Sequence, residues 1–112
     1  MDNEFGNFAI EMNRGFLQLL VLTLLEHGTY GYAMVRTIRE LGYEIEENTL
    51  YPLLRRLEKR NWIRGKWDIE DERPRKFYAI SDAGRGLRRE LFTLWNKQDE
   101  ILKNLLKEKK HV

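Results

Sequence analysis

Asn48 to Arg60 reads NTLYPLLRRLEKR, and the architecture of the whole chain follows from how that stretch is read. On a helix, Leu50, Leu53, Leu54 and Leu57 recur at i, i+3, i+4 and i+7, a single apolar stripe. At about 100° per residue, Pro52, Arg55, Arg56 and Lys59 fall on the far side, with Thr49 and Tyr51 on the flanks. Asn48 is a favourable N-cap, and a proline in the first turn removes no intrahelical donor. A short helix with one apolar and one basic face suits a DNA major groove, where its cations reach phosphates or guanine edges. The same pattern taken alone also describes an ordinary amphipathic surface helix, so the neighbouring segments decide between the two.

Upstream, Gly31 to Leu41 carries Met34, Val35, Ile38 and Leu41 at helical spacing, with Arg36, Arg39 and Glu40 outward and Gly42 as a stop. Tyr43 to Glu47 is a loop or one short strand. Two helices joined by a short connection have the shape of a helix-turn-helix. Before them, Phe16 to Glu26 is apolar nearly all round and belongs in the centre of a small core, closed by Gly28 as a C′ residue. Phe5, Phe8, Ala9 and Met12 suggest a separate short amphipathic helix, with Gly15 as the break; its exposed aromatics are expected to dock on a partner such as a second subunit.

Downstream, Asn61 follows the basic helix and tolerates the left-handed conformation of a C-terminal cap. Trp62 to Asp68 alternates, and Arg75 to Ile80 is rich in β-favouring residues, so the two predict a hairpin with a long polar loop: a wing. Trp62 and Trp67 are expected in the hairpin core, and Tyr30 and Tyr32 where the second helix begins. Ser81-Asp82 is an N-cap signal for a last helix running to about Lys107. Its seam is Leu87, Leu91, Leu94, Gln98, Ile101 and Leu105, widened by Phe92, Trp95, Leu102 and Leu106. A domain of this size cannot cover that much apolar surface, which implies a two-fold dimer with Gln98 setting register.

The bulk numbers agree. A chain of 112 residues, 42% hydrophobic and 34% charged, makes one globular unit with a modest core. The division expected is 1–80, an N-terminal helix plus a winged helix-turn-helix, and 81–112, the dimerisation helix; the fold class is mainly α with a small β-hairpin wing (α+β). Net charge is only +2, yet its distribution is uneven. Arg55, Arg56, Lys59, Arg60, Arg64 and Lys66 crowd one stretch, while acids gather at 44–47 and 68–72. With no cysteine, disulfides and cysteine-ligated zinc are excluded. His27 and His111 lack any partner motif, and no cofactor or metal is expected. The start lacks a secretory signal pattern, and the run Phe16–Leu25 is far shorter than the roughly 20 residues of a membrane span. A cytoplasmic protein without membrane contact is expected.

The stretches GTYGYAMVRTIRELG, TLYPLLRRLEKRNWI and RPRKFYAISDAGRGLRREL, over roughly residues 14–108, resemble the PadR-like transcriptional regulators. The resemblance implies a winged helix-turn-helix, usually a dimeric repressor, whose C-terminal helix makes the dimer. In the compact subgroup that helix also borders a ligand-binding space at the dimer centre. Two departures stand out. Asn61 occupies a position where the family usually has glycine. The wing carries Asp68, Glu70, Asp71 and Glu72, a load that repels phosphate and is only partly offset by Arg73, Arg75 and Lys76.

The residues expected to meet double-stranded DNA are Thr49, Tyr51, Pro52 and Arg55 in the groove and Arg56 and Lys59 on phosphates, with Arg73, Arg75 and Lys76 from the wing. Thr49, Tyr51 and Arg55 match family positions near DNA. A dimer, built by Phe5, Phe8, Leu87, Leu91, Leu94, Ile101, Leu102 and Leu105, would favour an inverted repeat, with recognition helices about 34 Å apart. Met12, Phe92 and Trp95 are candidates for a flat aromatic effector, and Asp99 would favour a cationic one; alternatively Trp95 simply fills the dimer core. The competing functional class is a winged-helix protein-interaction module without DNA binding. No catalytic triad, metal cluster or phosphate loop is present, and Gly84-Arg85-Gly86 is too short for a nucleotide fingerprint. Those two glycines are expected to permit close packing at a helix start.

Overall fold

The computed structural model describes residues 4–70 and 72–107, so His111 and Asp71 lie outside the described residues. The elements are α1 (Glu4–Leu24), β1 (Thr29–Tyr30), α2 (Gly31–Glu40), α3 (Glu47–Lys59), β2 (Ile63–Asp68), β3 (Arg75–Ile80) and α4 (Asp82–Lys107). The predicted stripe of α3 is the heart of the core. Leu50, Leu53, Leu54 and Leu57 are all buried, packed with Val21, Leu22 and Leu25 of α1 and its exit, Met34 and Ile38 of α2, and Ile63.

The chain between α2 and α3 is a loop, and Gly42, with φ of 97°, ends α2 as expected. Gly28 also has positive φ, 82°, and a Cβ there would stand 2.5 Å from Cζ of Phe77. Backbone conformation and space therefore both demand glycine. Asn61 takes φ of 65°, so the left-handed cap is kept without glycine.

Four expectations are corrected. Gly15 is not a break: α1 runs unbroken through it, because a glycine costs a helix only about 1 kcal/mol relative to alanine and nothing near it forces a turn. Asn48 is not the N-cap of α3. The helix starts at Glu47, two residues earlier than an Asn48 cap implies, Glu46 is the cap without a side-chain bond, and Pro52 stands inside the helix beyond the first turn. The carbonyl of Asn48 loses its intrahelical donor, a cost that an exposed residue offsets with water. The sheet has three strands, because Thr29 and Tyr30 pair antiparallel with Tyr78 and Phe77, giving the order β1-β3-β2. Trp67 is 58% exposed and not core; it lies toward the wing tip, opposite Lys76, beyond the reach of the helices. Trp62 does pack against the core.

The junction of hairpin and α4 is tight. Ser81 is buried; its Oγ accepts from the Gly84 N–H at 3.0 Å and lies 2.6 Å from the Asn61 carbonyl. A Cβ on Gly84 would stand 2.0 Å from the Trp62 carbonyl oxygen, whereas one on Gly86 would meet only the end of the Arg89 side chain, at 4.0 Å. Only the first of the two glycines is there for packing. Glu26, after α1, receives Arg85 at 3.1 Å and also Arg88, tying α4 to the core. Hydrogen bonds from Arg88 and then Arg85 hold the Glu26 carboxyl below its ordinary pKa.

Past this junction α4 leaves the domain. Gly84 is its one buried residue among those described, and Leu87 and Leu91 pack on the core of their own chain. Leu94, Trp95, Ile101, Leu102 and Leu105 are exposed, as are Phe5, Phe8 and Met12 on the first half of α1. The radius of gyration is 17.0 Å, against about 13 Å for a compact domain of this length. Two apolar helix ends thus protrude.

Candidate nucleic-acid interface

With α3 seated on its leucines, its remaining side chains divide into an outward strip and two flanks. At about 100° per residue, Asn48, Pro52, Arg55 and Lys59 lie opposite the leucine stripe. Thr49 and Arg56 lie on one flank, and Tyr51 and Glu58 on the other. The clefts follow this division. Thr49, Pro52 and Arg56 border a groove against α1, which supplies Asn13, Arg14 and Leu17. Tyr51 and Arg55 border a second cleft, closed by Tyr32 of α2 and by Trp67, Arg73, Pro74, Arg75 and Lys76 of the wing.

Thr49, Arg55, Arg56 and Lys59 are exposed. Tyr51 is half-buried beside Gly31, and burial, with Glu47 and Tyr78 nearby, raises its hydroxyl pKa so that it stays a neutral donor. The outward strip and its flanks therefore present one phenol, a threonine hydroxyl, an asparagine amide and three cations, beside the Glu58 carboxylate, which is bonded to Lys76. These groups can bond base edges and phosphate oxygens.

The wing differs. Arg73 is exposed, but Arg75 lies 3.5 Å from Asp68 and its guanidinium is 4.7 Å from the Tyr30 ring centroid. Asp68 also accepts from the Tyr30 hydroxyl at 3.0 Å. Its carboxyl is held below its ordinary pKa first by the Glu70 N–H, then by Tyr30 and Arg75, and Tyr30 is raised in return. Lys76 is turned inward to Glu58 of α3, at 2.9 Å. Part of the acidic load is thus spent on the wing's own cations.

Three groups at these clefts were not expected from the sequence. Asn48 has the chemistry of a cap, and Tyr32 and Trp67 have that of packing residues. Tyr30 and Tyr32 do meet, with ring centroids 5.7 Å apart, yet Tyr32 remains 58% exposed at the mouth of the second cleft. Only the position of the helix start could have revealed Asn48.

Of the effector candidates, Phe92 and Trp95 stack with centroids 6.2 Å apart and rings 10° from parallel. Asp99 is paired with Lys103 at 2.9 Å. Neither cleft described above includes Met12, Phe92, Trp95 or Asp99. Among the described residues there is no group of three metal-ligating side chains, and no helix is long and apolar enough to cross a membrane.

A helix-turn-helix with an exposed cationic second helix and an adjoining hairpin is a winged helix, a class of DNA-binding domain. The profile of the transcriptional regulator PadR-like family matches residues 21–90. The fold is similar to that of a PadR family transcriptional regulator from Eggerthella lenta, with TM-score 0.86, 37% identity and 96% of each chain covered. A PadR-like transcriptional regulator from Bacillus cereus aligns with TM-score 0.78 at 27% identity, covering 88% of this chain and 99% of that one. A probable transcriptional regulator of Mycobacterium tuberculosis is 36% identical over 70 residues, 59% of this chain and 37% of its own length. The chain belongs to the PadR-like family of transcriptional regulators, a family of DNA-binding, non-enzymatic proteins.

Proposed function

We propose that the protein is a dimeric repressor that reads an inverted repeat and is released from it by a flat hydrophobic effector. The outward strip of α3, solvent-facing over a fully buried leucine stripe, carries this reading. Thr49, Tyr51, Pro52 and Arg55 enter the major groove, and Arg56 and Lys59 take phosphates. Asn48, on the same strip, joins the base-reading set. Arg73 and Arg75 of the wing approach the flanking backbone, Arg75 with its charge partly met by Asp68. The protruding ends of α1 and α4 support a two-fold dimer, joined through Phe5, Phe8, Leu94, Ile101, Leu102 and Leu105, with Leu87 and Leu91 at its inner edge. The stacked, exposed Phe92 and Trp95, with Met12 and Asp99, border the space where a planar ligand is held.

Selection of bound sites from a random duplex pool tests the reading. An inverted-repeat consensus with centres about one helical turn apart is expected. A chain that retains no duplex at low salt is a protein-interaction module instead, since a DNA-binding protein shows salt-sensitive affinity. Titration with planar aromatic dyes is expected to change the fluorescence of Trp95; a parental spectrum with every dye would remove the effector.

A further inference from the structure

We propose that Lys76 and Glu58 form a staple holding the wing against the recognition helix, so that both act in DNA binding as positioning residues and Lys76 takes no phosphate. The inference rests on the DNA-binding reading above. Lys76 is on β3 and Glu58 on α3, and the ammonium is 2.9 Å from the carboxylate. The same ammonium is 5.6 Å from the ring centroid of Trp67 and 5.3 Å from that of Tyr78. A cation enclosed by a carboxylate and two aromatic faces has its charge directed into the protein. Only 24% of the Lys76 side chain is exposed. The bond to Glu58 is also the main reason its pKa is raised.

The glycine at 65 makes room for this arrangement. Gly65 sits on β2 opposite Tyr78, and a Cβ there would lie 2.4 Å from Cε of Lys76 and 2.9 Å from Oε2 of Glu58. Both atoms are at the ends of flexible side chains, so alanine would push the pair apart and leave the backbone in place.

Position gives the staple its consequence. β1 braces the hairpin at Phe77 and Tyr78, and beyond that pairing it has only two strands, which are marginal by themselves. Ile63 and Ile80 anchor the hairpin at its base. Farther out, Lys76 to Glu58 is the ion pair between wing and α3 among the described residues. Glu58 follows Arg55 by three residues, on the flank it shares with Tyr51, so the pair stands behind the base-reading side of α3. Both Lys76 and Trp67 line the cleft that holds Tyr51, Arg55 and Arg73. If the pair opens, the distance between Arg55 and Arg73 is no longer set.

The test uses the full-length dimer and the inverted-repeat duplex recovered by the selection, with affinity measured over a range of salt. Simple electrostatics predicts that Glu58→Gln, which removes an acid beside DNA, tightens binding. The staple predicts that it weakens binding about five-fold, the equivalent of about 1 kcal/mol. Lys76→Met is expected to weaken binding with the parental salt slope, whereas removal of a phosphate ligand lowers the slope by about 0.9 per phosphate. Gly65→Ala alters no charge and is expected to weaken binding to a similar degree. The exchange Glu58→Lys with Lys76→Glu is expected to recover most of the affinity, which a purely steric role would not allow.

Glu58→Gln binding as tightly as the parent or tighter overturns the proposal, as does a lower slope in Lys76→Met. Should Glu58→Gln fail to fold, Gly65→Ala decides: parental affinity there overturns the staple. A parent that binds no duplex is a separate failure, which removes the DNA-binding reading and the staple's role with it.

Discussion

The recognition helix and the wing each carry several cations in the sequence, Arg55, Arg56 and Lys59 on the one and Arg73, Arg75 and Lys76 on the other, and they are unlike as surfaces. On α3, Arg55, Arg56 and Lys59 stand exposed to solvent. On the wing, Arg75 is held by Asp68 and Tyr30, and Lys76 by Glu58. The helix leaves its cations in solvent because its inward side is occupied by leucines. The wing, too thin to bury a core of its own, ties Arg75 and Lys76 into the protein and leaves Arg64, Lys66 and Arg73 exposed. A count of basic residues therefore overstates what the wing offers to DNA. Of the wing's acids, Asp68 meets Arg75, whereas Glu70 and Glu72 stand exposed.

The largest perturbation would strike both regions together, at the junction from which the hairpin hangs. Gly84→Ala drives a methyl into the Trp62 carbonyl, and overpacking of this kind costs about 1–3 kcal/mol or more. A markedly lower melting temperature is expected; an unchanged one would show that α4 can move away freely. Next in size is Arg55→Ala, expected to cost about 1–3 kcal/mol on the selected duplex and far less on random DNA, as for a bidentate guanine contact. Equal losses on both duplexes would make Arg55 a phosphate ligand.

The comparison itself is sharpened by salt. Arg56→Ala and Lys59→Ala are each expected to lower the slope of log affinity against log salt by about 0.9, the value for one phosphate no longer neutralised. Arg75→Ala is expected to lower it by less, since Asp68 already meets much of that charge. An equal drop for all three would erase the distinction between helix and wing. The smallest effect is acid lability. The Asp68 carboxyl is held below its ordinary value of 3.8. A depressed carboxyl pKa gives stability that is complete above 3.8 and lost as pH falls through the folded-state value. Leu50, Leu53, Leu54 and Leu57, which hold α3, do not titrate. Acidification is expected to reduce amide-exchange protection near the wing tip before α3 responds, and simultaneous loss in both would count against separate anchoring.

Much of this was legible in the residues because local rules suffice for it. The leucine spacing of α3, the left-handed Asn61 and the Ser81 cap depend on neighbours a few positions apart and stand where expected, and the hairpin's strands do so except that the first begins at Ile63 and not at Trp62. The misplaced features share a cause. Asn48 has the chemistry of a cap and lies inside the helix; Gly15 has the chemistry of a break and lies inside α1. Propensity ranks such choices by about 1 kcal/mol, which tertiary packing readily overrides.

By itself, then, the sequence determined which face of each helix is apolar and where the hairpin falls, since periodicity and capping are encoded within a few residues. Only the tertiary structure decided which cations are available. Glu58 finds Lys76 across 18 positions and Glu26 finds Arg85 across 59. Such partners are set by how the elements pack, and no spacing along the chain announces them.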